Sequence, residues 1–195
     1  MSGQPATPIV ILTGPIRSGK TTALCSWISD RRAAGTLVGG VLAPVVNGHR
    51  YLRSIATGEE RLLDVPSPDV GARDLADGGR ASDPAGIVAI GPHRFYADVF
   101  AWARERVLAD REAVERSASG GWIVIDEVGP LELGGGGLEP AVTEAVRVCV
   151  ERGALRLVLV VRDRLLRRVV EHYRLPEAIV AVVGRDELSG DRSSI

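Results

Sequence analysis

Gly14-Pro15-Ile16-Arg17-Ser18-Gly19-Lys20-Thr21 is the stretch on which the reading of this sequence turns. It satisfies the pattern G-x-x-x-x-G-K-[ST], and its flanks are the ones that pattern needs. Before it, Pro8 to Thr13 is a short run rich in β-branched residues, the signature of a buried strand. After it, Ala23, Leu24, Trp27 and Ile28 recur at helical spacing, with Gly35 placed to stop the helix. A glycine-rich turn between strand and helix can wrap its N–H groups around a phosphate, and the positive end of the helix dipole points the same way. Lys20 is then the charge that reaches the β- and γ-phosphates, and Thr21 the hydroxyl placed for Mg²⁺.

The lysine is informative for a second reason. It is the only lysine in 195 residues, among 24 basic side chains. Given 23 glycines and the Ser/Thr content, finding both glycines and a following Ser/Thr in register around it has a chance of about one in 700. A slim ammonium fits inside a phosphate loop where a planar guanidinium does not. The same scarcity removes N-K-x-D, a route to guanine selectivity, so the sequence gives no support for strict GTP selectivity.

Working outward, Thr36 to Val46 reads as a second strand, and Asn47-Gly48 and Thr57-Gly58 are turns between short alternating segments, which together suggest an antiparallel meander. Residues 66–86 are rich in Pro, Gly and Asp and read as a long surface loop. Ile87 to Ile90 suggests another strand, and Phe100, Ala103, Val107 and Val114 mark a long amphipathic helix. Trp122 to Val128 is a strongly apolar strand. Further on, a helix through Val142 to Cys149, a strand over Leu155 to Val161, a helix over Leu165 to Tyr173 and a strand over Ala178 to Val183 follow. The tail from residue 185 to 195 is polar and expected to fray. Apolar strands alternating with amphipathic helices give an α/β fold: a mostly parallel open sheet with helices on both faces and a β meander after the second strand. The whole of 1–195 is expected to be one domain, with about 47–86 inserted in it.

The strand from Trp122 ends in Asp126-Glu127. Neighbouring strand residues point to opposite faces, so two acids at the end of a buried strand need a purpose. Beside a phosphate loop, Asp126 is placed to help hold Mg²⁺ and Glu127 to orient or deprotonate an attacking water. Gly134 to Gly137 follows, and four glycines in a row predict either a mobile segment over the site or a plain linker. Arg162, directly after the Leu155–Val161 strand, is a candidate sensor of the γ-phosphate.

Charge and composition exclude other classes. With 24 basic against 25 acidic residues the net charge is −1, which argues against nucleic-acid binding by bulk charge. No apolar run approaches the ~20 residues that span a bilayer, and no signal peptide is expected. Cys25 and Cys149 have neither disulfide-framework nor metal-ligand spacing, so a reduced cytoplasmic setting is the default.

The combination GPIRSGKTT, GGVLAPVVNGHRYLRSIATGEERLL, FYADVFAWA and IDEVGPLEL resembles the small nucleoside-triphosphatase (THEP-like) family, over Ile9 to about Val183. The resemblance implies a RecA-like phosphate-loop NTPase fold and Mg²⁺-dependent hydrolysis of ATP, GTP, CTP and UTP to diphosphates. Carried over by position, Gly14, Pro15, Ile16, Arg17, Ser18, Gly19, Lys20, Thr21 and Thr22 would bind phosphate. Asp126 would serve Mg²⁺ and Glu127 would activate water. Arg17 stands where members often have glycine. Two other functions compete: a small kinase passing the γ-phosphoryl group to an acceptor, and a nucleotide-switched adaptor without significant catalysis. A protein partner is not identifiable from sequence.

Overall fold

The computed structural model describes residues 8–15, 18–66, 86–153 and 155–190, with residues 189 and 190 described by backbone alone. Most of the expected 66–86 loop, together with Ile16, Arg17 and residues 191–195, lies outside the described residues.

Strands β1 (Ile9–Gly14), β2 (Leu37–Leu42), β8 (Gly121–Val128), β9 (Leu155–Arg162) and β10 (Val180–Val183) form a parallel core in the order β10-β1-β9-β8-β2. Strands β3 (Val45–Val46), β4 (His49–Ser54) and β5 (Glu60–Leu62) extend the sheet antiparallel beyond β2, which makes eight strands. The expected meander is there, folded about its two glycine turns. A hairpin of β6 (Ile87–Ile90) and β7 (His93–Tyr96) is separate, tied to the meander by a bridge between Asp64 and Phe95.

Alternation sorts the strands' side chains into two cores. Ile9, Ile11, Ile123, Ile125, Leu157 and Leu159 face helices α2 (Ala97–Arg116), α4 (Ala141–Arg152) and α5 (Leu166–His172). Val10, Leu12, Trp122, Val124, Val158 and Val160 face α1 (Lys20–Ala33) and the short C-terminal helix. Burial on both faces is why these strands read as continuous apolar runs. On the α1 face, Trp27 and Trp122 meet edge to face with ring centroids 5.0 Å apart. Arg31 lies 5.3 and 5.9 Å from the two rings, and Arg156 lies 5.2 Å from that of Trp122.

The structure corrects two of the expected elements. The strand read over Thr36 to Val46 is broken at Ala43-Pro44 into β2 and β3. Pro44 has no N–H to give a ladder, and the Ala43 N–H is diverted to the Asp126 carboxylate at 3.1 Å. Of the tail expected to fray, the described part, residues 185–190, forms α6 (Arg185–Gly190). Leu188 buries itself in the α1-side core, and Glu187 accepts the Gly184 N–H at 2.6 Å, so one apolar anchor and one cap suffice to hold the turn. Among the described residues no helix is long and apolar enough to cross a membrane.

Candidate functional site

The site lies at the carboxyl ends of β1, β8 and β9, where an open α/β sheet offers a crevice. Gly14 ends β1, in register with Arg162 at the end of β9. Gly19, at φ +81°, turns the chain into α1 in a backbone conformation that favours glycine. Lys20 Nζ is folded back into the loop, donating to the carbonyls of Gly14 at 2.9 Å and Pro15 at 2.6 Å, with Ser18 Oγ at 3.4 Å. These acceptors hold the ammonium against the backbone at the end of β1. Thr22 is exposed one residue beyond Thr21. Ser18 has a further neighbour from the other end of the chain, because Arg185 Nη1 donates to its carbonyl at 3.1 Å.

The two acids are separated by a bulge in β8. Ile125 pairs with Leu159 and Val128 with Val161, so β8 carries one residue more than β9 between those pairs. Glu127 takes up the difference at φ +68°, a conformation unusual for a side chain of its type. The bulge re-aims the pair. Asp126 turns into the protein, 1% exposed, where its Oδ2 accepts from Thr21 Oγ1 and from the Ala43 N–H, both at 3.1 Å. Glu127 turns to the surface between two arginines, with Oε2 3.5 Å from Arg50 Nη1 and Oε1 3.8 Å from Arg162 Nη2.

Burial raises the Asp126 carboxyl to about 6, and the neighbouring Glu127 charge pushes the same way; the Ala43 N–H, Thr21 and Lys20 oppose it. Its second oxygen, Oδ1, is buried with no hydrogen-bond partner. A buried carboxylate with one orphaned oxygen, beside a threonine hydroxyl, is a donor set suited to a hard divalent cation with oxygen ligands such as Mg²⁺. The fit is good: a cation there would supply the missing partner and offset the burial cost.

Arg50 did not stand out in the sequence. It comes from β4, where the period of two puts it on the face of buried Leu52 and Ser54. An arginine in phase with the buried face of a strand is the signal that could have found it. The glycine run is also unlike the expectation. Gly134, Gly135 and Gly136 N–H groups donate to the carbonyls of Pro130, Glu132 and Leu131, closing a turn after α3 (Pro130–Leu133). Buried Glu132 anchors it, accepting from the Gly129 and Leu138 N–H groups at 2.9 and 3.1 Å, while Arg104 holds the Gly137 carbonyl at 2.6 Å. The segment expected to be either a mobile cover or a plain linker is a hydrogen-bonded turn.

No protein-family model and no curated protein matches the chain. Its fold is similar to the solution structure of a human cancer-related nucleoside triphosphatase, with a TM-score of 0.63 over 92% of each chain. At 21% identity that likeness speaks for architecture, not for individual residues. The chain shares the mixed α/β fold of that protein, with its mostly parallel sheet and covering helices.

Proposed function

We propose that this protein is a Mg²⁺-dependent nucleoside-triphosphatase that releases the γ-phosphate of ATP, GTP, CTP or UTP as inorganic phosphate. The observation that carries the reading is the convergence of Lys20, Thr21, Asp126 and Glu127 at the carboxyl ends of β1 and β8, two strands flanking β9, from segments more than 100 residues apart. The order of the parallel strands supports the RecA-like reading, since β9 separates the phosphate-loop strand from the acid strand and brings Arg162 to the gap.

In this reading the loop from Gly14 to Thr22 cradles the phosphates with its N–H groups, and Lys20 exchanges its carbonyl partners for β- and γ-phosphate oxygens. Thr21 and Asp126 would hold Mg²⁺. When bound, the cation neutralises charge that builds on the phosphate oxygens in the transition state. Glu127, on the bulge and open to solvent, orients a water in line with the γ-phosphorus and accepts its proton. The water oxygen bonds to phosphorus as the bond to the β-phosphate bridging oxygen breaks, leaving diphosphate and phosphate. Arg162, within reach of Glu127 and level with Gly14, is placed to sense the γ-phosphate. The sequence offers no guanine-reading motif, so the base is expected to matter little.

Phosphate release measured with each of the four triphosphates, with and without Mg²⁺ and with and without nucleoside acceptors, tests the reading. Release with all four that requires Mg²⁺ and no acceptor is expected. Turnover only with an acceptor would make the protein a kinase, and nucleotide binding without turnover would make it an adaptor.

A further inference from the structure

The β meander carries an arginine into the site, and its surroundings indicate what it is for. The Arg50 backbone is fixed by hydrogen bonds and its side chain lies against a ring. Its N–H donates to Asp64 Oδ2 at 2.7 Å, its carbonyl accepts from the Leu63 and Asp64 N–H groups, and its guanidinium lies 5.8 Å from the centroid of Phe95. Phe95 is bridged to Asp64, so the meander and the second hairpin together form the platform on which the side chain rests. An arginine whose backbone is pinned and whose planar fork already rests on a ring loses less entropy when it engages an anion than a free one does.

Its partner is shared. Arg53, on the opposite face of the same strand, has Glu60 beside it, with Nε to Oε2 at 2.6 Å. Arg50 and Arg162 both lie against the Glu127 carboxylate, one on each oxygen and at long range. Two guanidinium groups on one carboxylate leave a positive charge over at the point where the proposed site receives its most negative group. The Arg50 Nε, buried and without a hydrogen-bond partner, is a donor also left unused.

We propose that Arg50 is a catalytic residue that binds the γ-phosphate directly, so that the chain supplies in cis the arginine that other phosphate-loop enzymes take from a partner. This rests on the nucleoside-triphosphatase reading above. In the free protein Arg50 and Arg162 hold Glu127 by its two oxygens. A triphosphate draws the arginines to its terminal phosphate and leaves the carboxylate to the water. A diphosphate has nothing to offer them, so Arg50 distinguishes substrate from product.

The test separates contact with phosphate from a role in merely holding Glu127. Arg50→Ala should lower kcat on the order of 10³-fold. In a Glu127→Gln background, where there is no carboxylate left to hold, adding Arg50→Ala should weaken binding of a non-hydrolysable ATP analogue about 10- to 100-fold and leave ADP binding unchanged. Kd values from calorimetry read this out. Wild-type kcat in Arg50→Ala, or the same affinity change for analogue and ADP, would overturn the proposal. Should the alanine variant fail to fold, Arg50→Lys carries the same test: its single ammonium cannot make the forked contact, and a kcat loss of about 10-fold or more is expected. A wild-type protein that releases no phosphate would count against the nucleoside-triphosphatase reading alone, because the affinity comparison still decides whether Arg50 touches the γ-phosphate.

Discussion

Replacing Asp126 with asparagine should make the protein more stable at pH 8 than it is with its native residue. The carboxyl is raised from 3.8 to about 6, chiefly by burial. A proton is therefore held more tightly in the folded chain than in the unfolded one. Protonated Asp126 costs nothing extra below about pH 4. As pH rises from there to about 6, the folded state alone keeps the proton, so stability falls, and above about pH 7 the full cost is present. At about 1.4 kcal/mol per pH unit, that cost is about 3 kcal/mol. Asparagine removes the charge and keeps an oxygen for Thr21 and the Ala43 N–H. It puts an amide where Oδ1 now lies unpartnered, which returns about 1 kcal/mol of the gain. The net, about 2 kcal/mol, corresponds to roughly 4–8 °C in Tm for a chain of this size. Thermal melts of both proteins at pH 4.5, 6 and 8 measure the difference between them, in which the titration of all other groups cancels. The gap should be small at pH 4.5 and open toward pH 8. Mg²⁺ should raise the wild-type Tm at pH 8 and leave the variant's unmoved. An Asp126→Asn protein less stable than wild type at pH 8, or a gap independent of pH, would show that the buried carboxylate is not the liability described.

Three further outcomes are expected. Lys20→Arg keeps the charge and should still cost at least ~10-fold in triphosphate affinity or turnover, because the loop's acceptors enclose a single ammonium; wild-type kinetics would refute the account of the lone lysine. Glu127→Gln should lower kcat about 10²-fold or more with nucleotide Kd unchanged, and an unaltered kcat would remove Glu127 from the chemistry. Gly137→Ala should destabilise by ~2 kcal/mol or more, since the residue sits at φ +59° and the added Cβ would lie 2.2 Å from Glu132 Oε1; a denaturant midpoint equal to wild type would mean the turn yields freely.

What could be read from the sequence was what is encoded locally. The phosphate loop and the acid pair each sit within a dozen residues, and the strand–loop–helix context around them is itself local. The meander announced itself through two glycine turns. Arg50 was hidden because its partner, Glu127, comes from another strand, and only the folded meander brings them to 3.5 Å. The break in the second strand had a visible cause in Pro44, but the use made of it, an N–H turned toward Asp126, depends on where β8 ends. The bulge that parts the two acids could not be read at all, since it is a property of the β8–β9 pairing rather than of either strand. The glycine run misled for a related reason: its order comes from Glu132, a charge whose burial the surrounding composition gave no reason to expect.

The Trp27–Trp122 pair gives the protein a built-in optical probe. Trp27 rides on the helix whose first turn belongs to the phosphate loop, and Trp122 is fixed in the strand that ends in the acids. Their rings stand at 87° to one another, with arginine charge close to both. Near-ultraviolet dichroism and indole emission of such a pair vary with ring separation and with the field of those guanidinium groups. A slight shift of the helix on the sheet is therefore written into the unlabelled chain's own spectrum, with the third tryptophan, Trp102, across the sheet as a reference.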